Sequence, residues 1–137
     1  MERRPCTDRY LFDAARLPDG FRFPTAYLEL IAGAARLPDL CPWWFLAESR
    51  ELAEFWLTTL QQQYPSRELI PIAKRDDLSD TLACFDGADH SGNPVVHHIH
   101  AYTEPDWEQR GTWRDFHDWM AQAELDAAEY GAAEAED

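Results

Sequence analysis

Apolar and polar positions divide the chain into a helical front, a series of short apolar segments and a helical close. Over residues 23–36, Leu28, Ile31 and Ala35 recur at spacings that line one face, and Pro24 suits an early helical position, so a first helix is predicted there, ended by Pro38. The run Cys41-Pro42-Trp43-Trp44-Phe45-Leu46 is short, aromatic and bounded by proline and charge, which predicts a strand buried on at least one face. Ser49 is placed to cap a second helix through about Tyr64. Along it Ala53, Trp56, Leu57, Leu60 and Tyr64 follow the i, i+3, i+4, i+7, i+11 template, and Pro65 stops it.

Three strand candidates follow, at 68–74, 81–86 and 94–102. The links between them are polar and short enough for hairpins, so an antiparallel meander is expected. Residues 104–111 read as a polar connection to the last helix. That helix is predicted from a variant capping box, Thr112 with Asp115 three residues on, and from the stripe Phe116, Trp119, Met120, Ala123 and Ala127. Residues 131–137 are small and acidic with nothing to bury, and are expected to fray. No repeat, linker or break in composition divides the chain. The expectation is one α+β domain over 1–137 with its core at about 23–130: a central antiparallel meander flanked by N-terminal helices and a C-terminal helix.

Composition sharpens this picture. A hydrophobic share of 45%, with six Trp, seven Phe and five Tyr among 137 residues, supplies a sizeable core. Twelve basic against twenty-six acidic residues leave a formal charge of −14. Such a charge repels phosphate backbones and anionic headgroups and favours basic partners. Nucleic acid and membranes are therefore not expected as partners. Cys6, Cys41 and Cys84 have neither paired metal-ligand nor redox spacing. Cys41 and Cys84, each flanked by apolar residues, read as reduced buried thiols. With no apolar leader region and no stretch near the ~20 apolar residues of a membrane helix, a cytoplasmic protein is expected.

Three groups could carry chemistry or recognition. In His97-His98-Ile99-His100 alternation puts His98 and His100 on one face, where they could share a metal ion in a metal-dependent enzyme. Such a site needs three or four ligands, and no further ligand is fixed nearby by the sequence. Packed or solvated histidines satisfy the pattern more simply, so no metal or cofactor is expected. Asp76, Asp77, Asp80 and Asp89 lie in the hairpin links and, with Asp86 nearby, could form an acid–base carboxylate pair or a hard-cation site, but no ion-binding loop pattern is present. They read either as turn formers or as contacts for a basic partner. Trp107 sits in the polar connection, where periodicity demands no tryptophan. It either pins the loop to the core or presents an aromatic contact.

Several segments together resemble bacterial members of the SUKH superfamily. They are Glu68-Leu69-Ile70-Pro71-Ile72-Ala73-Lys74-Arg75, Ala83-Cys84-Phe85-Asp86, Ile99-His100, Asp106-Trp107-Glu108-Gln109-Arg110 and Phe116-His117-Asp118-Trp119. The family's usual run is E-L-I-P-F-A-R-R, an acidic hairpin, A-C-F-D, a histidine strand, G-W-E-x-R and F-x-x-W-x-W or a close variant. The likeness spans roughly residues 23–130. It departs from the pattern at Ile72, Lys74 and Asp106, where phenylalanine, arginine and glycine are usual. The resemblance implies an α+β fold, no catalytic activity, and a role as an immunity protein that binds and neutralises a cognate toxin, often a nuclease with a basic surface. Eukaryotic members of the superfamily act in cell-wall-assembly regulation, and the alternative is a housekeeping regulator or scaffold that binds an endogenous partner; in either role the chain is expected as a monomer or a dimer. The partner contacts expected are Asp76, Asp77, Asp80, Asp89 and Trp107.

Overall fold

The computed structural model describes residues 9–33, 37–76, 80–104 and 106–135, with side chains as far as residue 133. Within them the order is α1 (Thr25–Ala32), β1 (Trp43–Phe45), α2 (Arg50–Gln63), β2 (Leu69–Arg75), β3 (Thr81–Asp86), β4 (Val96–His100), β5 (Gln109–Trp113) and α3 (Phe116–Ala135). The strands lie side by side in chain order, β1-β2-β3-β4-β5, and every pair is antiparallel. This is the α+β arrangement expected: an antiparallel meander with helices before and after it.

Alternation along the strands gives the sheet two apolar faces, and each is covered by helix. On one face Trp43, Phe45, Phe85 and His98 meet α1 and α3. Trp119 lies 5.5 Å from Trp43 and 6.2 Å from Phe45 between ring centroids, and Tyr27 lies 5.4 Å from both Phe85 and Phe116. The other face receives α2, whose buried side chains Ala53, Trp56, Leu57 and Leu60 are the stripe read from the sequence. Burial of several such large side chains, each contributing roughly 1.5–3 kcal/mol, holds the layers together. Ser49 caps α2 as expected, its hydroxyl accepting from the Leu52 N–H at 3.2 Å.

Some boundaries and faces differ from the sequence reading. In α1 the buried residues are Tyr27 and Ile31, whereas Leu28 is exposed; the helix ends at Ala32, and Ala35 lies outside the described residues. Pro24 sits one step before the helix, its carbonyl accepting from Tyr27 and Leu28. The core extends back beyond residue 23, since Phe12 and Phe21 are buried, and Glu54 of α2 holds both Tyr10 and Arg16. Cys84, in the middle of β3, is buried as expected, but Cys41 lies in the turn before β1, outside the sheet, and is exposed.

The largest difference is β5, which occupies the end of the expected polar connection. It pairs with β4, Val96 opposite Trp113 and His98 opposite Gly111. As an edge strand it buries little, so its polar residues hide the alternation. Gly111 is needed because a Cβ there would lie 2.8 Å from the Trp113 ring, which folds back toward His98. Thr112 therefore belongs to β5 and does not cap α3. The cap is Asp115, whose carboxylate accepts from the Asp118 N–H at 2.8 Å. Beyond Tyr130, where fraying was expected, α3 continues to Ala135.

Candidate interaction surface

A meander places its connections alternately at two ends of the sheet. The β2–β3 link and the β4–β5 connection share one end, where the Ala101 N–H donates to the Asp80 carbonyl at 2.9 Å. The β3–β4 hairpin lies at the opposite end. The expected contact residues are thereby split: Asp76, Asp80 and Trp107 lie at the first end, Asp76 toward β1 and Trp107 toward β5, Asp89 stands at the other, and Asp77 lies outside the described residues.

Asp89 works within its own hairpin. Its carboxylate oxygens accept from the backbone N–H groups of Ser91 and Val95, both at 3.1 Å. Burial alone would raise this carboxyl, but the hydrogen bonds from Ser91 and Val95 outweigh it and hold the group below its ordinary range. Asp76 is exposed at the end of β2, and Asp80 lies 3.9 Å from the Lys74 ammonium with its side chain about half exposed.

The β4–β5 connection is held firmly and still presents a tryptophan. The Tyr64 hydroxyl lies 3.1 Å from the His100 carbonyl and 3.2 Å from the Thr103 N–H, and the Tyr102 N–H donates to Gln63 Oε1 at 2.7 Å. Glu108 closes the connection from inside. It is buried, accepts from the Asp106 N–H at 2.7 Å through Oε1, and takes the Arg67 guanidinium at 2.9 Å through Oε2. Burial pushes the Glu108 carboxyl up, but Arg67 and the backbone donors prevail and keep it ionised below its ordinary range. Trp107, inside this frame, is 68% exposed. Of the two readings for Trp107, outward presentation is the geometry observed. Asp106 has φ +80°, the left-handed conformation that glycine, usual at this place in the resembling family, adopts with least strain.

Two further aromatics at this end were not singled out from the sequence. Tyr102 is 56% exposed and Phe55 50% exposed, and their rings flank Trp56 at 5.9 and 5.1 Å between centroids. Lys74 lies over the Trp56 ring at 5.5 Å. The available signal was Phe55 itself, a large apolar residue off the α2 stripe. For Tyr102, which takes φ +65° just past β4, the sequence carried no equivalent signal.

The histidines do other work. His98 is buried among three indoles, with ring centroids 4.8 Å from Trp43 and 4.0 Å from Trp113, and its Nε2 accepts from Trp119 Nε1 at 2.8 Å. Nε2 is thus occupied, and the neutral ring carries its proton on Nδ1. Burial lowers its pKa to about 4, with Asp126 pulling it up and Arg75 pushing it down. His100 Nδ1 lies 2.9 Å from the Ala101 carbonyl. On the other face His97 bridges strands, with Nε2 3.2 Å from Asp86 Oδ2 and Nδ1 3.0 Å from Thr112 Oγ1. Among the described residues no three His, Cys, Asp or Glu side chains are grouped to hold a metal ion. Nor, among them, is any helix long and apolar enough to cross a membrane. Comparison of the chain with protein-family models, with curated proteins and with solved structures finds no match.

Proposed function

We propose that this chain is a non-catalytic protein-binding domain, acting in the bacterial cytoplasm as an immunity protein that neutralises a cognate toxin by covering it. The observation that carries the reading is the exposed Trp107 on a connection held from within by Glu108, Arg67 and Tyr64, at the same end of the sheet as Asp76 and Asp80. A large aromatic on a pre-ordered loop loses little conformational entropy on binding, and such residues dominate protein interfaces. The formal charge of −14 supports a basic partner, since complementary fields speed association and reject wrong partners. The resemblance to the SUKH superfamily points the same way.

The test is co-expression with toxins encoded beside the gene. The chain is expected to co-purify with one of them in stoichiometric amount and to rescue cells that express it. Failure to bind or rescue against every neighbouring toxin would overturn the proposal, and specific capture of an endogenous housekeeping protein would replace it with a regulatory or scaffold role.

A further inference from the structure

We infer that the sheet end bearing Phe55, Tyr102 and Trp107 is the partner contact, and that it receives arginine side chains from a basic segment of the partner. The inference rests on the binding-protein reading above and names the surface and its chemistry.

Elements distant in sequence converge here. Tyr102 packs against Trp56 of α2, the Asp80 carbonyl accepts from Ala101, and exposed Glu104 and Asp106 lie in the same connection as Trp107. Indole and phenol faces are electron-rich and attract cations, and nearby carboxylates add charge without needing an enclosed pocket. The fold uses this pairing internally: Arg50 lies over Tyr10 at 5.4 Å, Lys74 over Trp56 at 5.5 Å and Arg75 over Trp43 at 5.6 Å. Two cations of the neighbouring segments are directed inward, Lys74 onto Trp56 and Arg67 onto Glu108 and Gln109. Arg110, the second residue of β5, is exposed.

Arginine fits better than lysine. Its planar guanidinium stacks on an aromatic face while its edge donates to carboxylates, and it is more weakly hydrated than an ammonium. A purely apolar ligand would strip water from Asp80, Glu104 and Asp106 without replacing their hydrogen bonds. A nucleic acid would bring phosphates against a surface of the same sign.

The probe is a synthetic peptide alternating arginine and glycine, compared with a lysine–glycine peptide of equal length and charge. Each is titrated into the 15N-labelled chain while the Trp107 indole signal, assigned by its loss in Trp107→Phe, and the backbone amides are followed. The arginine peptide is expected to shift the Trp107 indole and the amides of residues 102–108, and to bind roughly fivefold more tightly than the lysine peptide. Trp107→Ala and the double variant Glu104→Gln, Asp106→Asn should each remove most of that preference. Their thermal transitions should stay near that of the parent, because these side chains are exposed. Equal affinity for both peptides, unchanged binding by Trp107→Ala, or shifts centred on the Asp89 end would overturn the inference. The toxin-rescue assay judges the reading separately. Rescue by the parent chain and equally by Trp107→Ala and by the double variant would leave the immunity role standing and remove this surface from it.

Discussion

His98 shows how one buried side chain sets a pH dependence for the whole fold. The chain alone marked it as a metal-ligand candidate, because two histidines one residue apart are visible and three converging tryptophans are not. Trp43, Trp113 and Trp119 come from three separate elements and meet over His98 only once the sheet is formed. With a folded pKa of about 4 and an ordinary value of 6.5, the unfolded chain binds a proton between those values that the folded chain refuses. Stability is therefore unaffected above pH 6.5, falls as pH drops through 6.5, and has lost about 3 kcal/mol near pH 4. His98→Gln keeps an acceptor for the Trp119 indole but cannot titrate. In urea denaturation at pH 7 and pH 5 it should lose markedly less stability than the parent; an equal loss would show that the ring is not kept neutral by burial. Asp89 and Glu108 have ordinary values of 3.8 and 4.5 and are depressed, so their contributions begin to be lost only below those values, beneath the pH 5 point of this comparison. Glu108 makes a second prediction at this scale. Arg67→Ala leaves a buried carboxylate without its cation and should cost about 2–3 kcal/mol in the same denaturation, whereas Glu108→Gln, which removes the charge as well, should cost less.

At the level of elements, what could be read from the chain followed how many neighbours each segment buries against. The stripes of α2 and α3 and the run of β3 were legible because those elements are covered by other layers, which forces period 3.6 or a continuous apolar run. Trp56, Leu57, Leu60, Phe116, Trp119 and Ala123 are all buried where periodicity put them. β5 was not legible. It has one strand neighbour, and Gly111 occupies the very position at which alternation would show an inward side chain. That one missed strand also moved the start of α3, since taking Thr112 into the sheet left the cap to Asp115. The candidate surface divided the same way. Trp107 stood out as an unexplained tryptophan, while Tyr102 and the separation of Asp89 from Asp76 and Asp80 depend on strand order. The α3 cap can be tested directly. Asp115→Ala removes the acceptor for the Asp118 N–H and should cost about 1 kcal/mol, whereas Thr112→Ala should leave the helix start intact and cost less than half as much. Amide exchange at the Asp118 N–H should speed up in Asp115→Ala and not in Thr112→Ala; the reverse would return the cap to Thr112.

For the molecule as a whole, the formal charge of −14 acts in opposite directions on folding and on association. Like charges crowded on a compact surface repel, so the folded state carries an electrostatic penalty that the expanded chain largely escapes. Added salt screens that repulsion, with a Debye length shrinking from roughly 30 Å at 0.01 M to about 8 Å at 0.15 M. The Arg67–Glu108 pair is partly buried and is screened much less than the surface. Raising sodium chloride from low to physiological concentration should therefore stabilise the fold, by about 1 kcal/mol, or about 3 °C in Tm. The same screening weakens attraction for a basic partner, chiefly through a slower association rate. A salt series followed by calorimetry and by binding kinetics should show the transition temperature rising while the association rate falls. If both fell together, attractive ion pairs would dominate the fold's own surface and the excess acid would not be a net burden on folding. If stability rose while association was indifferent to salt, the partner would be held by the aromatics alone, and the acids at that end of the sheet would serve solubility.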